Sequence, residues 1–353
     1  MTFLVTGGAG FIGSALVRAA TLDLGASVHN LDALTYAANL KNLEAVSGSS
    51  KYRLCRGDIK DAACVRELLD SARPTAVFHL AAESHVDRSI DGPLAFVETN
   101  VVGTAVLLSE VLQYWRRLGV DERAAFRFVH VSTDEVFGSL GATGLFSESS
   151  AYDPRSPYAA SKAASDHLVR AWHHTYGIPI LVTNCSNNFG PYQFPEKLIP
   201  LTIVRALQGR PIPVYGKGAN VRDWMHVDDH VSALLAVWSK GSVGSTYTIS
   251  ARNERTNIEV VRSVCSALDE LLPTSANRPH QSLIQFVEDR PGHDFRYAID
   301  PSRLETELGW RPTHTFETGI RSTVQWYLEN RGWWSDILDN RYDTERLGRA
   351  KKL

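Results

Sequence analysis

The order of apolar and glycine-rich stretches predicts an α/β fold, with a doubly wound parallel sheet and a smaller, mixed C-terminal domain. Three observations predict it. Short β-branched runs alternate with helical periodicities from Thr2 to Thr183, a pattern that calls for parallel strands joined by crossover helices. Gly7, Gly10 and Gly13 lie between the first such strand and the first helix, in the G-x-x-G-x-x-G spacing of a dinucleotide turn. Beyond Gly190, prolines at 191, 195, 200, 211 and 213 break the chain into short pieces and the alternation degrades. We therefore expect a Rossmann-like domain over 1–185, a segment near 225–250 that returns to it, and a second domain over 186–353.

Thr2 to Thr6 is a short apolar strand, and a helical pattern runs from Ser14 to about Asp23. The glycines between them allow a tight turn and close approach of backbone to a pyrophosphate, which then sits at the positive end of the helix. The second strand, Ser27 to Leu31, ends at Asp32, 19 residues beyond Gly13. A carboxylate there accepts hydrogen bonds from ribose hydroxyls and repels a 2′-phosphate, and Ala33 offers that phosphate no cation, so NAD is expected over NADP. Next come a strand over 51–56, a helix over 61–72, a strand over 76–80 and a long helix from Pro93 to about Trp115. That helix is apolar on more than one side, as if packed against a neighbour or a second subunit. Strands over 126–131 and 178–183 flank a helix that carries Tyr158, and 227–238 and 245–250 read as a returning helix and strand. The tail beyond Arg331 is charged, with Trp333 and Trp334 at its root, and reads as a packed or frayed end.

Composition excludes several classes. A net charge of −2 on 353 residues gives no electrostatic case for nucleic acid or an anionic membrane. The four cysteines (Cys55, Cys64, Cys185, Cys265) lack zinc-ligand spacing and suit a reducing compartment. No apolar run reaches the roughly 18 residues of a membrane span, and the first residues lack a basic segment, so a cytoplasmic protein is expected. His173 and His174 have no metal-ligand partners on their helix, and His79 and His230 read as structural, so no metal is expected.

The chemistry is concentrated between Ser132 and Lys162. Tyr158 and Lys162 lie four apart on a helix and so share a face, about 6 Å apart in rise. An ammonium so placed is expected to lower the phenol's pKa and make it a proton acceptor for an alcohol. Asp134 and Glu135 follow a strand end and precede an apolar Val136-Phe137. Desolvation and like charge raise carboxyl pKa values, so one can serve as acid and the other as base. Elimination of water needs that pairing; a simple dehydrogenase or epimerase does not. Arg222 and Arg290 could bind a diphosphate bidentately, or each be half of a surface ion pair.

At these residues the chain resembles the dTDP-glucose 4,6-dehydratases of the extended short-chain dehydrogenase/reductase superfamily. The resemblance is carried by Thr6–Ser14, Asp32–Ala37, Ala81–Ser89, Ser132–Gly138, Ser156–Arg170, Thr183–Leu201, Tyr215–Trp224 and Asp289–Asp300. It implies that Tyr158, assisted by Lys162 and Thr133, takes the C4 hydroxyl proton of a glucosyl nucleotide while NAD accepts the hydride. Glu135 then removes C5–H, Asp134 protonates the departing C6 hydroxyl, and the hydride returns to C6. The resemblance places the cofactor on Gly7, Gly10, Phe11, Ile12, Gly13, Asp32, Ala33, Leu34, Thr35, Asp58, Ile59, Leu80, Ala81, Ala82, Ser84, Thr99, Tyr158, Lys162 and Asn188. It places the nucleotide sugar on Ser84, Thr133, Asp134, Glu135, Asn187, Lys197, Leu198, Pro213, Val214, Tyr215, Arg222, Asn257, Asp289, Arg290 and His293. It also implies a homodimer joined through helices near 93–117 and 156–176, and a place in deoxysugar (rhamnose-type) biosynthesis. Three departures stand out: Phe137 replaces a frequent tyrosine, the segment from Gly138 to Tyr158 is short, and Ser250-Ala251 replaces a glycine pair. A nucleotide-sugar 4-epimerase shares Tyr158, Lys162 and Asp32, a UDP-glucose 4,6-dehydratase shares the whole set, and a non-catalytic NAD-binding regulator is the alternative outside enzymes.

Overall fold

The middle of strand β1 (Thr2–Thr6), Phe3 to Val5, is continuously apolar because it is buried on both faces. Phe3 and Val5 join one core, with Leu16, Val17, Val231 and Leu234. Leu4 joins the core on the other face, with Leu31, Val65, Leu69, Leu107 and Val111. Full burial of each such side chain contributes about 1.5–3 kcal/mol, which is what fixes the sheet between two helical layers. The computed structural model describes residues 1–340 together with Tyr342 and Thr344.

The other strands are β2 (Ser27–Asp32), β3 (Tyr52–Arg56), β4 (Ala76–His79), β5 (Arg127–Thr133), β6 (Ile180–Cys185), β7 (Asn187–Phe189), β8 (Ile212–Tyr215), β9 (Val221–His226), β10 (Thr246–Ile249), β11 (Glu254–Thr256) and β12 (Ile284–Val287). The main sheet has seven parallel strands in the order β10-β6-β5-β4-β1-β2-β3. Strand order reverses between β1 and β4, so their carboxyl ends diverge and open a crevice there. Helix Val227–Lys240 packs on helix Phe11–Leu22, and β10 then pairs with β6, with Thr246 opposite Val182. The chain thus returns to the first sheet after residue 226. A three-stranded sheet (β11-β9-β7), whose β7 follows directly on the carboxyl end of β6, and a two-stranded one (β12-β8) complete the described strands. They share a separate core of Phe189, Ile199, Val214, Trp224, Val261 and Phe316.

Among the element boundaries that differ from the sequence expectation, two have a local cause. The first helix starts at Phe11 rather than Ser14, because Gly10 is extended and the helix begins directly off the glycine turn. Strand β6 begins at Ile180, two residues late, because Pro179 precedes it and carries no N–H for the ladder. At the other end, Trp333 and Trp334 pack into the second core, and their indoles donate to Asn42 and to the Tyr327 carbonyl at 2.8 and 2.9 Å. The root of the tail is therefore a packed end; residues 345–353 lie outside the described residues. Helix Pro93–Arg117 is long and apolar enough, by length and composition, to cross a membrane, with a mean hydropathy of 1.4 over its most apolar stretch. It lies against helices Ala62–Ala72 and Pro157–Tyr176 as part of the folded layer. Leu94, Val97 and Val102 on it are exposed.

Candidate active site

The crevice is a cavity of about 500 Å³ that runs from the glycine turn to the loops after β5 and β6. At one end, β1 leads into Gly7, whose φ of +74° is in the left-handed region. A Cβ there would lie 2.7 Å from the Ala81 amide nitrogen, so the turn and the loop after β4 lie flat against each other. Gly13 lets the first helix pack on the turn, since a Cβ at that position would lie 2.1 Å from the Gly7 carbonyl oxygen. Gly10 supplies no side-chain cap to this helix, which leaves its first N–H groups for an anion. Asp32 accepts the amides of Ala9 and Leu34 at 2.8 Å each, and Leu34 is turned to a φ of +54°. Burial raises the Asp32 carboxyl, and those two amides oppose it. Its remaining lone pairs face the cavity that Ala33, Thr35, Asp58 and Ile59 also line. These residues fit a dinucleotide: a tight glycine turn that excludes a Cβ at Gly7 and Gly13, an uncapped helix start for phosphate, then an acceptor for ribose hydroxyls. Gly13→Ala is expected to abolish retention of NAD through purification, checked by releasing the bound nucleotide from denatured protein.

At the other end, β5 carries Thr133, and a short turn of helix brings Asp134 and Glu135 to the cavity wall. Thr133 Oγ1 donates to Asp134 Oδ1 at 3.3 Å and accepts the Glu135 amide at 3.2 Å. Asp134 is 2% exposed, and its Oδ2 has no hydrogen-bond partner among the described residues. Tyr158 and Lys162 enter from helix Pro157–Tyr176, capped by Ser156. Asn100, in a locally widened stretch of helix Pro93–Arg117, bridges the backbone of Glu83 to Ser161, which ties the loop after β4 to this helix.

The two carboxyls differ in surroundings. Burial pushes the Asp134 carboxyl well above its usual range, and the neighbouring Glu135 and Asp223 carboxylates add to that. Burial also raises Glu135, but Arg290, Arg222 and Lys197 all oppose it. Asp134 is therefore the carboxyl pushed toward its neutral form, while Glu135 faces three cations. Tyr158 corrects the sequence expectation. Its phenol is pushed up, not down, by burial, by the Glu135 carboxylate and by the neighbouring Cys185, opposed by the Thr133 hydroxyl. The Lys162 ammonium donates to the Val131 carbonyl at 2.9 Å, on β5.

Asp223 backs Asp134 from β9, accepting from the Ser250 hydroxyl and, at 2.9 Å, from the Asn253 amide. Burial pushes it up to about 6 from an ordinary 3.8. A raised carboxyl means that folding takes up a proton. Its contribution to stability is complete below the ordinary value and is lost as pH rises through about 6. Asp223→Asn is therefore expected to gain stability relative to the parent over that window, by on the order of 2–3 kcal/mol. Thermal unfolding of both proteins across the window checks it.

The chain's relatives decide the family. The family model described as GDP-mannose 4,6 dehydratase matches residues 4–323. A dTDP-glucose 4,6-dehydratase of Xanthomonas campestris pv. campestris (strain B100) is 58% identical, over 98% of this chain and 99% of its own length. One from Escherichia coli is 52% identical, over 99% of each. This chain belongs to the dTDP-glucose 4,6-dehydratases. Among solved members of that family, DesIV from Streptomyces venezuelae, with NAD and TYD bound, superposes with a TM-score of 0.86 at 46% identity, covering 96% of this chain and 100% of that one. The Bacillus anthracis dehydratase, in complex with NAD, superposes at 0.84 with 42% identity, over 96% and 99%. A UDP-glucose 4-epimerase from Thermus thermophilus, complexed with NAD, is 29% identical with a TM-score of 0.81 over 94% of this chain and all of its own.

Within this dehydratase chain the cavity gathers Gly7, Gly10, Phe11, Ile12, Gly13, Leu80, Ala81, Ala82, Ser84, Thr99, Asn187, Asn188 and Lys197 with the residues already placed. Asn187 Oδ1 is buried without a hydrogen-bond partner among the described residues. Asn188 is fixed by His230, whose Nδ1 meets its Oδ1 at 2.9 Å, and His79 bonds the Thr6 and Thr104 hydroxyls at 2.8 and 2.9 Å. Both histidines are structural. Leu34, Leu198, Pro213, Val214, Tyr215, Arg222, Asn257, Asp289, Arg290 and His293 do not line this cavity. Val214 is buried in the second core, and Asn257 opens helix Asn257–Leu271. Arg222 lies over the Tyr297 ring at 4.2 Å and donates to the Asp294 carbonyl at 3.0 Å. Arg290 is not half of a surface pair: it bonds the buried Asp87, which also accepts from Tyr215 at 3.0 Å. His293 bonds Asp289 at 2.6 Å. Sequence reasoning missed Asp87, and missed Glu196, which joins Arg88 at 3.0 Å and Tyr36 at 3.1 Å on the cavity wall. Both make their bonds to residues more than 100 positions away, so no local pattern marks them.

Proposed function

We propose that this chain dehydrates dTDP-glucose to dTDP-4-keto-6-deoxyglucose, as an NAD-dependent hydro-lyase of deoxysugar biosynthesis. The observation that carries the reading is the unlike pair Asp134 and Glu135, one buried and backed by a carboxylate, the other facing cations. NAD, when bound, supplies a positively charged ring that accepts the C4 hydride and returns it to C6. Gly7, Gly10 to Gly13, Asp32, Ala33, Thr35, Asp58, Ile59 and Leu80 to Ser84 are the cavity residues that would hold it. Tyr158 takes the C4 hydroxyl proton, with Thr133 and Lys162 positioning it. Oxidation at C4 acidifies C5–H, which Glu135 removes; Asp134 delivers its proton to the C6 hydroxyl, which leaves as water. Glu135 then returns a proton to C5. Arg222, Arg290 and Lys197 serve the diphosphate in this reading, supported by their common reach to Glu135.

The exposed Leu94, Val97 and Val102 support a homodimer through helices Pro93–Arg117 and Pro157–Tyr176. A cytoplasmic setting and a rhamnose-type product fit the same reading. Incubation with dTDP-glucose should yield a product lighter by one water. Unchanged mass with inversion at C4 would instead indicate an epimerase, and faster turnover of UDP-glucose would move the base preference to uridine.

A further inference from the structure

The helix that carries Tyr158 presents a ladder of charge behind it. Tyr158, Lys162, Asp166 and Arg170 recur every four residues along one side of helix Pro157–Tyr176. Asp166 is fully buried and plays no part in the reaction sequence above. Its Oδ1 meets His130 Nε2 at 3.0 Å, and its Oδ2 accepts from Tyr152 at 2.7 Å and from Asn184 at 3.2 Å. Burial and the Lys162 charge push His130 down to about 4, so that imidazole is neutral at working pH. Burial opposes ionisation of Asp166, yet His130, Lys162 and Tyr152 together hold it below the carboxylate range. It is thus a buried anion met by donors that are themselves uncharged, and its net charge is left for a neighbour.

That neighbour is Lys162, one turn away, 5% exposed and bonded to the Val131 carbonyl. A buried ammonium on a single carbonyl is costly unless an anion compensates it. We propose that Asp166 is a positioning residue for the reaction, a fixed counter-charge that keeps Lys162 cationic and through it favours the Tyr158 phenolate. The groups facing this axis are few. Glu135, Asp134 and Cys185 surround Tyr158 and disfavour its phenolate; Cys185 also lies near Lys162. His79 and His130 are both held neutral beside Lys162, from β4 and β5. Arg170, a turn beyond Asp166, donates to Tyr152 at 2.8 Å and to Thr246 at 3.2 Å, and Tyr152 links it to the same carboxylate. Asp166 is thus the anion one turn from Lys162 on its own helix, tied to β5 through His130 and to β6 through Asn184.

The inference rests on Tyr158 as the base. Asp166→Asn keeps the shape and one acceptor oxygen, and the Tyr152 hydroxyl can turn to accept. With holoenzyme and dTDP-glucose, the acidic limb of the kcat profile should move up by about one pH unit, so that kcat near neutrality falls about tenfold. KM should change less than about twofold, because Asp166 touches no substrate-binding residue. A limb that superimposes on the parent's, or a loss of kcat without displacement of the limb, overturns the inference. If Asp166→Asn fails to fold by circular dichroism, Tyr152→Phe removes one bond to the same carboxylate and should move the limb in the same direction by less; an unmoved limb overturns the inference equally. A parent enzyme that turns over no dTDP-glucose would instead refute the proposed function.

Discussion

Glu135→Gln is expected to stop dehydration while sparing the first step. The amide keeps the size of the side chain but cannot take the C5 proton, and removal of a general base typically costs about 10²–10⁴-fold. C4 oxidation does not need Glu135, so reduced nicotinamide should build up on the variant when dTDP-glucose is added, visible by its absorbance. The parent, which returns the hydride each cycle, should show little. The substitution also removes an anion that raises the Tyr158 phenol, so the first step should proceed at lower pH than in the parent. Full dehydration by this variant would refute Glu135 as the base.

Tyr158→Phe should give the opposite signature. Only a hydroxyl is lost, and the ring keeps its edge-on contact with Phe96, centroids 6.3 Å apart, so the fold should hold. The C4 hydroxyl loses its proton acceptor, and hydride transfer should fall by about 10²–10⁴-fold. Neither reduced nicotinamide nor dehydrated sugar should accumulate. The two variants together separate oxidation from elimination, which a single loss of activity cannot do. Reduced nicotinamide appearing at the parent's rate in Tyr158→Phe would assign the first proton transfer elsewhere.

What the sequence makes legible is what neighbours in the chain determine. A strand, a glycine turn and a helix in succession, then Asp32 at the next strand end, locate the cofactor end of the crevice because Gly13 against Gly7 and Asp32 against Ala9 are contacts within the first 32 residues. The pair Asp134-Glu135 is equally local, since adjacency guarantees proximity. Other features rest on folding. Tyr158 and Lys162 share a helix face as their spacing requires, yet the ammonium bonds β5, and the phenol's surroundings come from Glu135 and Cys185 on other elements. Spacing gives nearness along a helix; it does not give the third element packed against it. Asp87, on the short helix Val86–Asp91, and Arg290, on the loop after β12, are 203 positions apart, and only the tertiary fold brings them together. The early start of the first helix is a similar case, because Phe11 and Ile12 look like turn residues until Gly10 is seen to be extended.

The central claim is that Glu135 exchanges a proton with C5 of the hexose while Asp134, beside it, supplies one to the departing hydroxyl. Turnover of dTDP-glucose in D₂O, followed by mass and proton spectra of the product, tests it most directly. The account predicts a product that has lost water and carries one deuterium at C5. A dehydrated product with protium retained at C5, or an undehydrated one, would contradict it.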